Sequence, residues 1–159
     1  MRVDLSQKTI AVIGGTGFVG RAVVEQLATT GARILVLARN SERAKQLKVF
    51  GAVGQISAVA GNALRDEDLA SVVAPADMVV NLVGILAPSG RQTFAGLQAE
   101  LPGRIGQMAS QYGVESIVHL SAIGASLKSP SLYARTKAEG ERALLRQYSQ
   151  ATILQPSVI

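Results

Sequence analysis

The chain has 159 residues, and 16 Lys and Arg against 11 Asp and Glu give a net charge of +5. That length suits one domain that can bury roughly two-thirds of its unfolded surface, and 48% hydrophobic with 17% charged residues excludes intrinsic disorder. The absence of cysteine excludes a disulfide scaffold, a thiolate metal site and a cysteine nucleophile, and it fits a reducing compartment.

Residues 8–13 form a short apolar run ending in glycines, the pattern of a buried strand. A helical stripe of Val19, Ala22, Val23 and Leu27 follows over 18–30, with Gly31 as its C-cap. Residues 33–38 carry Ile34, Leu35, Val36 and Leu37, a second buried strand. Asn40 and Ser41 supply N-cap chemistry for a helix over 42–50. A third, weaker strand spans 55–60, and Asp66 can cap a short helix bearing Leu69, Val72 and Val73. Residues 77–83 read as a fourth strand, and 92–112 as a helix broken at Pro102 and Gly103. A fifth strand covers 116–120. A helix over 133–148 sets Ala134, Ala138, Leu145 and Tyr148 on one face, and residues 151–154 begin a sixth strand.

This alternation implies parallel strands joined by right-handed crossovers, with helices on both faces of the sheet. The expected fold class is α/β, a doubly wound Rossmann sheet of about six strands. Residues 69–90 are poor in charge, but Pro75, Asp77 and Asn81 interrupt them well short of the ~20 residues that span a bilayer. Asp4 and Lys8 beside the first apolar run argue against a signal peptide. The basic excess fits a phosphorylated ligand or an acidic partner. Nucleic acid ranks last, because only three Tyr and three Phe are present and no Lys/Arg cluster is interleaved with them. The chain stops just after a strand, so it is expected to be the N-terminal part of a longer protein.

The strongest motif is Ile13-Gly14-Gly15-Thr16-Gly17-Phe18-Val19-Gly20, with glycines spaced G-x-x-G-x-x-G and G-x-G-x-x-G. It follows a strand and opens a helix, the context in which backbone N–H groups meet a pyrophosphate. The helix N-terminus adds unpaired donors and the positive end of its dipole. Gly14, Thr16, Gly17, Phe18, Val19 and Gly20 are therefore candidate cofactor contacts.

An NAD site usually places Asp or Glu after the second strand, on the ribose 2′-OH. This chain has Arg39 there, with Arg43 one turn on. A guanidinium suits a 2′-phosphate through bidentate hydrogen bonds, so NADP(H) is favoured over NAD(H). Asn62 after the third strand, and Val83 with Gly84 at the end of the fourth, fall at the carboxyl edge where ligands bind.

Tyr133-Ala134-Arg135-Thr136-Lys137 sets Tyr and Lys about 40° apart on one helix face. A lysine ammonium there can lower the phenol pKa and bond the cofactor ribose. The phenol can exchange a proton with a substrate oxygen.

With these motifs, the chain resembles short-chain dehydrogenases/reductases of the extended or atypical type. Within that superfamily it is most similar to the nucleotide-binding accessory subunits of respiratory complex I and their bacterial relatives. The resemblance runs through 14–21, Asn81-Leu82-Val83-Gly84-Ile85-Leu86, His119-Leu120-Ser121-Ala122-Ile123-Gly124-Ala125, residues 131–141 and residues 152–159. It implies a parent roughly twice this length, whose C-terminal half completes the substrate side. It also implies Tyr133, Lys137 and Ser121 as candidate catalytic residues, and respiratory-complex subunits as partners. The implied location is cytoplasmic and peripheral on the inner membrane.

Three departures from the family pattern point away from turnover. The Ser/Thr pair after the fifth strand reads Ser121-Ala122, Ile13 stands where active members have threonine, and Gln155 stands where relatives have arginine. The expected function is thus an NADP(H)-binding accessory subunit. The alternative is a free reductase or sugar-nucleotide epimerase using the Tyr/Lys pair. His119, the sole histidine, reads as a packing or hydrogen-bonded residue. Glu139, Glu141 and Arg142 read as a solvated helix face. Asp66, Glu67 and Asp68 read as first-turn charges, with no metal site implied.

Overall fold

A computed structural model describes residues 4–157. The last two residues of the 152–159 resemblance lie outside the described residues. Six strands and five α-helices alternate: β1 (Thr9–Ile13), α1 (Phe18–Ala28), β2 (Arg33–Ala38), α2 (Ser41–Lys45), β3 (Ile56–Ala60), α3 (Asp66–Val73), β4 (Met78–Asn81), α4 (Leu101–Tyr112), β5 (Ser116–Leu120), α5 (Leu132–Gln147) and β6 (Thr152–Leu154). All strands pair in parallel, in the order β3-β2-β1-β4-β5-β6. The order reverses between β1 and β4, the place where such sheets bind ligands. Ile13 pairs with both Leu37 and Asn81, and Asn81 pairs with His119, so the carboxyl ends form one level edge.

Side-chain alternation divides the interior in two. Ala11, Ile13, Leu35, Leu37, Val79 and Ile117 face a core closed by Leu69, Val72, Leu101, Ile105 and Leu144 of α3, α4 and α5. Ile10, Val12, Ile34, Val36 and Val80 face the other, closed by Val24 and Ala28 of α1, Ala44 of α2, and Leu47. Both faces of the central strands are buried, which explains their unbroken apolar runs.

Four local expectations change. The first helix ends at Thr29, while Gly31, at φ +81°, turns the chain into β2 two residues later. The helix after Asn40 holds only to Lys45 and then tightens into a 3₁₀ turn, Gln46–Phe50, although Asn40 caps it by accepting from the Arg43 N–H at 3.2 Å. Asp66 is the first residue of α3 and not its cap, because Arg104 of α4 draws its carboxylate into an ion pair. The break expected at Pro102 lies one residue earlier. A π-helical segment, Ala95–Glu100, runs straight into α4, whose first turn holds Pro102. Proline there gives up no helical hydrogen bond.

The buried face of α5 also differs. Thr136, Lys137, Ala138, Gly140 and Leu144 point inward, and Leu145 is exposed. A Cβ at Gly140 would lie 1.9 Å from the Gln98 carbonyl oxygen, so α5 crosses the π-helical segment on that glycine. This contact turns the helix and buries Thr136 and Lys137 together. No helix among the described residues is long and apolar enough to cross a membrane.

Candidate functional site at the carboxyl edge of the sheet

The turn after β1 has glycine for two different reasons. At Gly14 φ is +88°, and at Gly20 a Cβ would lie 2.2 Å from the Gly14 carbonyl oxygen. Fold geometry thus requires both. At Gly17 a Cβ would meet only the Gly14 oxygen, at 3.5 Å, an ordinary contact. Protein atoms do not forbid a Cβ at Gly17. Gly17 is the N-cap of α1, with no side-chain capping bond, and no acidic residue lies in the first turn. Helix geometry leaves the N–H groups of Phe18, Val19 and Gly20 without intrahelical acceptors. This open, electropositive hollow fits the phosphates of a dinucleotide.

Two hollows meet at this turn. The first, about 440 Å³, is bordered by Gly14, Thr16, Gly17, Arg39, Asn62, Val83, Gly84 and Gln92. With its carboxamide turned to suit both groups, Gln92 accepts from both terminal nitrogens of Arg39, at 2.5 and 2.6 Å. Asn62 is spent on the loop: its Oδ1 accepts from the Leu64 N–H at 3.0 Å, and its own N–H donates to Asp68 at 2.8 Å. Arg43 is exposed on α2 and does not border the hollow.

The second hollow, about 560 Å³, brings Gly17, Phe18, Val19, Gly20 and Gly84 together with Ser121, Tyr133 and Lys137. Lys137 is 4% exposed and donates to the Leu120 carbonyl at 3.3 Å. Burial holds its pKa below the ordinary lysine value, and the Glu141 carboxylate opposes that shift. The Lys137 Nζ lies 6.0 Å from the centre of the Tyr133 ring, which packs edge-on to Phe94. A Cβ at Gly84 would come within 3.3 Å of Nζ, so glycine there keeps the lysine path clear.

A polar layer lies behind the second hollow. Asn81 donates to His119 Nδ1 at 3.0 Å, which places the imidazole proton on Nε2, where it has no partner. Burial, and secondarily the Lys137 charge, lower the His119 pKa to about 4, so the ring is neutral at pH 7. Thr136 donates to Gln98 at 2.9 Å, and Gln98 donates to the Ile85 carbonyl at 2.8 Å, tying α5 to the loop after β4.

Glu141 does not belong to a solvated face. Its Oε1 accepts from the Ser121 hydroxyl and from Gln155 Nε2, the latter at 2.8 Å. Its partners lie just past the ends of β5 and β6, so only its place one turn beyond Lys137 on α5 could have marked it. No group of three His, Asp or Glu among the described residues could hold a metal ion.

Known proteins resemble this chain in sequence and in fold. The family described as NAD(P)H-binding matches residues 14–159. The Arabidopsis thaliana protein named NADH dehydrogenase [ubiquinone] 1 alpha subcomplex subunit 9, mitochondrial, is 32% identical over 99% of this chain and 40% of its own length. The mouse protein of the same name is 30% identical over 99% of this chain and 42% of its own. The chain therefore spans about two-fifths of the length of these curated relatives. Among solved structures, a putative NAD-dependent epimerase/dehydratase from Bacillus halodurans superposes with a TM-score of 0.80. It is 22% identical over 94% of this chain and 70% of that one. A short-chain dehydrogenase/reductase superfamily protein from Agrobacterium tumefaciens, with bound NAD, gives 0.73 at 24% identity, over 92% and 48%. At these identities the likeness is one of fold. The glycine turn, the order of the sheet and the match along nearly the whole chain agree, and the chain belongs to the NAD(P)H-binding family.

Proposed function

We propose that this chain holds NADP(H) as a resident nucleotide, within an accessory subunit of an assembly of the NADH dehydrogenase type. The observation that carries the reading is the hollow at Gly17, where a Cβ would clear the protein and the α1 N–H groups are free. Gly14, Thr16, Gly17, Phe18, Val19 and Gly20 would hold the pyrophosphate. Arg39 would take the 2′-phosphate by bidentate hydrogen bonds, released from Gln92, with Arg43 adding charge from α2. Asn62, Val83 and Gly84 would border the adenosine side, and Lys137 would bond the ribose hydroxyls of the nicotinamide half.

When bound, the nicotinamide ring supplies or accepts a hydride. Against turnover stand the lone hydroxyl in Ser121-Ala122 and the commitment of that hydroxyl to Glu141. The relatives' greater length and printed names support the rest of the reading. This chain would be the N-terminal domain of a longer protein, peripheral on a membrane-bound respiratory assembly. Titration calorimetry with NADPH and NADH tests it. Tighter binding of NADPH supports the assignment, and equal affinities overturn the choice of nucleotide.

A second reading has its own observation. Ser121, Tyr133 and Lys137 border one hollow, the set a free reductase or epimerase would use. Carbonyl reduction by the longer protein near 1 s⁻¹, lost in Tyr133→Phe, would establish that reading in place of the first.

A further inference from the structure

At the end of the second hollow, by the tips of β5 and β6, both hydrogen-bond donors of Ser121 are already committed. The Ser121 hydroxyl donates to Glu141 Oε1, and the same oxygen accepts from Gln155. An ionised carboxylate only accepts, and a serine has a single O–H, so the Ser121 proton is spent. The Ser121 backbone N–H donates to Leu154 O at 2.7 Å, and that of Ile123 to Pro156 O at 2.9 Å. The Lys137 ammonium gives one of its three donors to Leu120 O. Around Ser121 the wall is Leu86, Ala122, Ile123 and Pro156, with Ser157 beside it and Tyr133 farther along the hollow. What Ser121 has left to offer is the lone pairs of its oxygen.

We propose that Glu141 is a positioning residue that sets the hydrogen-bond polarity of Ser121. This end of the hollow then takes a ligand group that donates a hydrogen bond, an alcohol or an amide N–H, and disfavours a carbonyl. A carbonyl set against the Ser121 oxygen would face lone pairs with lone pairs and gain no hydrogen bond from the serine. The inference rests on the dinucleotide reading only for which end of the site meets a substrate. It also gives a physical reason for slow carbonyl reduction that does not depend on the alanine at 122.

A matched pair of probes, cyclohexanol and cyclohexanone, tests the polarity directly. Each is titrated into the ¹⁵N-labelled 159-residue chain, with and without NADPH, and the amide signals of Ser121 and Ala122 are followed. The native chain is expected to bind the alcohol about tenfold more tightly than the ketone. In Glu141→Gln the amide N–H₂ can donate to Ser121 Oγ and turn the hydroxyl proton toward the hollow. The ratio should then fall to about one or reverse, while a merely structural loss would weaken both probes alike. Ser121→Ala, which leaves Glu141 in place, should erase the preference and serves if the glutamine variant does not fold. An unchanged ratio in the variants, or no shift at Ser121 and Ala122 with either probe, overturns the inference. Failure of NADPH to bind while the ratio still moves would count against the proposed function alone.

Discussion

The two hollows at the carboxyl edge are built in opposite ways. The first is made of main chain and space: a glycine turn, a helix N-terminus and the exposed guanidiniums of Arg39, held by Gln92, and Arg91. The second is made of buried side chains that hold one another: Ser121 with Glu141, His119 with Asn81, Thr136 with Gln98, and Lys137 sealed at 4% exposure. Backbone recognition is preorganised by the fold and tolerates loss of neighbouring side chains. A side-chain network depends on every member being satisfied. The first region should therefore respond to substitution by losing ligand, and the second by changing stability and chemistry.

The sharpest break of this contrast lies inside the turn itself. Gly20→Ala forces a methyl to within 2.2 Å of the Gly14 oxygen and should cost about 3 kcal/mol or more, visible as a large drop in melting temperature. Gly17→Val, three residues away, should keep the melting temperature close to native yet weaken NADPH binding about a hundredfold or more, by filling the phosphate hollow. A folded Gly17→Val chain with native affinity would show that the hollow is not a phosphate site.

The second region should reveal itself by pH. The His119 pKa of about 4 lies below the ordinary 6.5, so the unfolded chain binds more protons between those values. Stability should be full above pH 6.5 and fall as the pH drops toward 4, by about 3 kcal/mol in all. Denaturant melts across that window should show the slope, and His119→Gln should flatten it. A native-like slope in the variant would mean that other groups carry the acid sensitivity.

Smaller effects sharpen the ligand side. Arg39→Asp should reverse the preference between NADPH and NADH, with about a tenfold loss for NADPH. The exposed position of Arg39 predicts no matching loss of stability. Tyr133→Phe should change nucleotide affinity by about twofold or less, because none of the proposed nucleotide contacts uses the phenol. A large loss of affinity there would move the nucleotide toward Tyr133.

The same contrast explains what could be read before folding. All six strands were legible, the central ones because parallel strands buried on both faces are continuous apolar runs. The glycine turn was legible because its chemistry is local and periodic. Glu141 was not, because its meaning depends on Ser121, 20 residues away, and on Gln155 of a strand end. Gln92 and Asn81 were missed for the same reason: Arg39 and His119 give them their roles only across the assembled sheet. Leu145 was placed inside by helical spacing alone. The contact between Gly140 and Gln98 rotates α5 and exposes it, a tertiary effect that no periodicity contains.

His119 is the chain's only histidine, and it lies near the carboxyl end of β5, where it feels the Lys137 charge. It is thereby a built-in spectroscopic reporter. Its imidazole gives a single, unambiguous set of ring resonances. Their nitrogen shifts identify the tautomer that Asn81 selects, with the proton on Nε2. A ligand that engages the lysine ammonium would change the electric field at the ring without touching it. Occupancy of the nucleotide site could then be followed in the unlabelled protein, through one proton signal, from a residue that takes no part in binding.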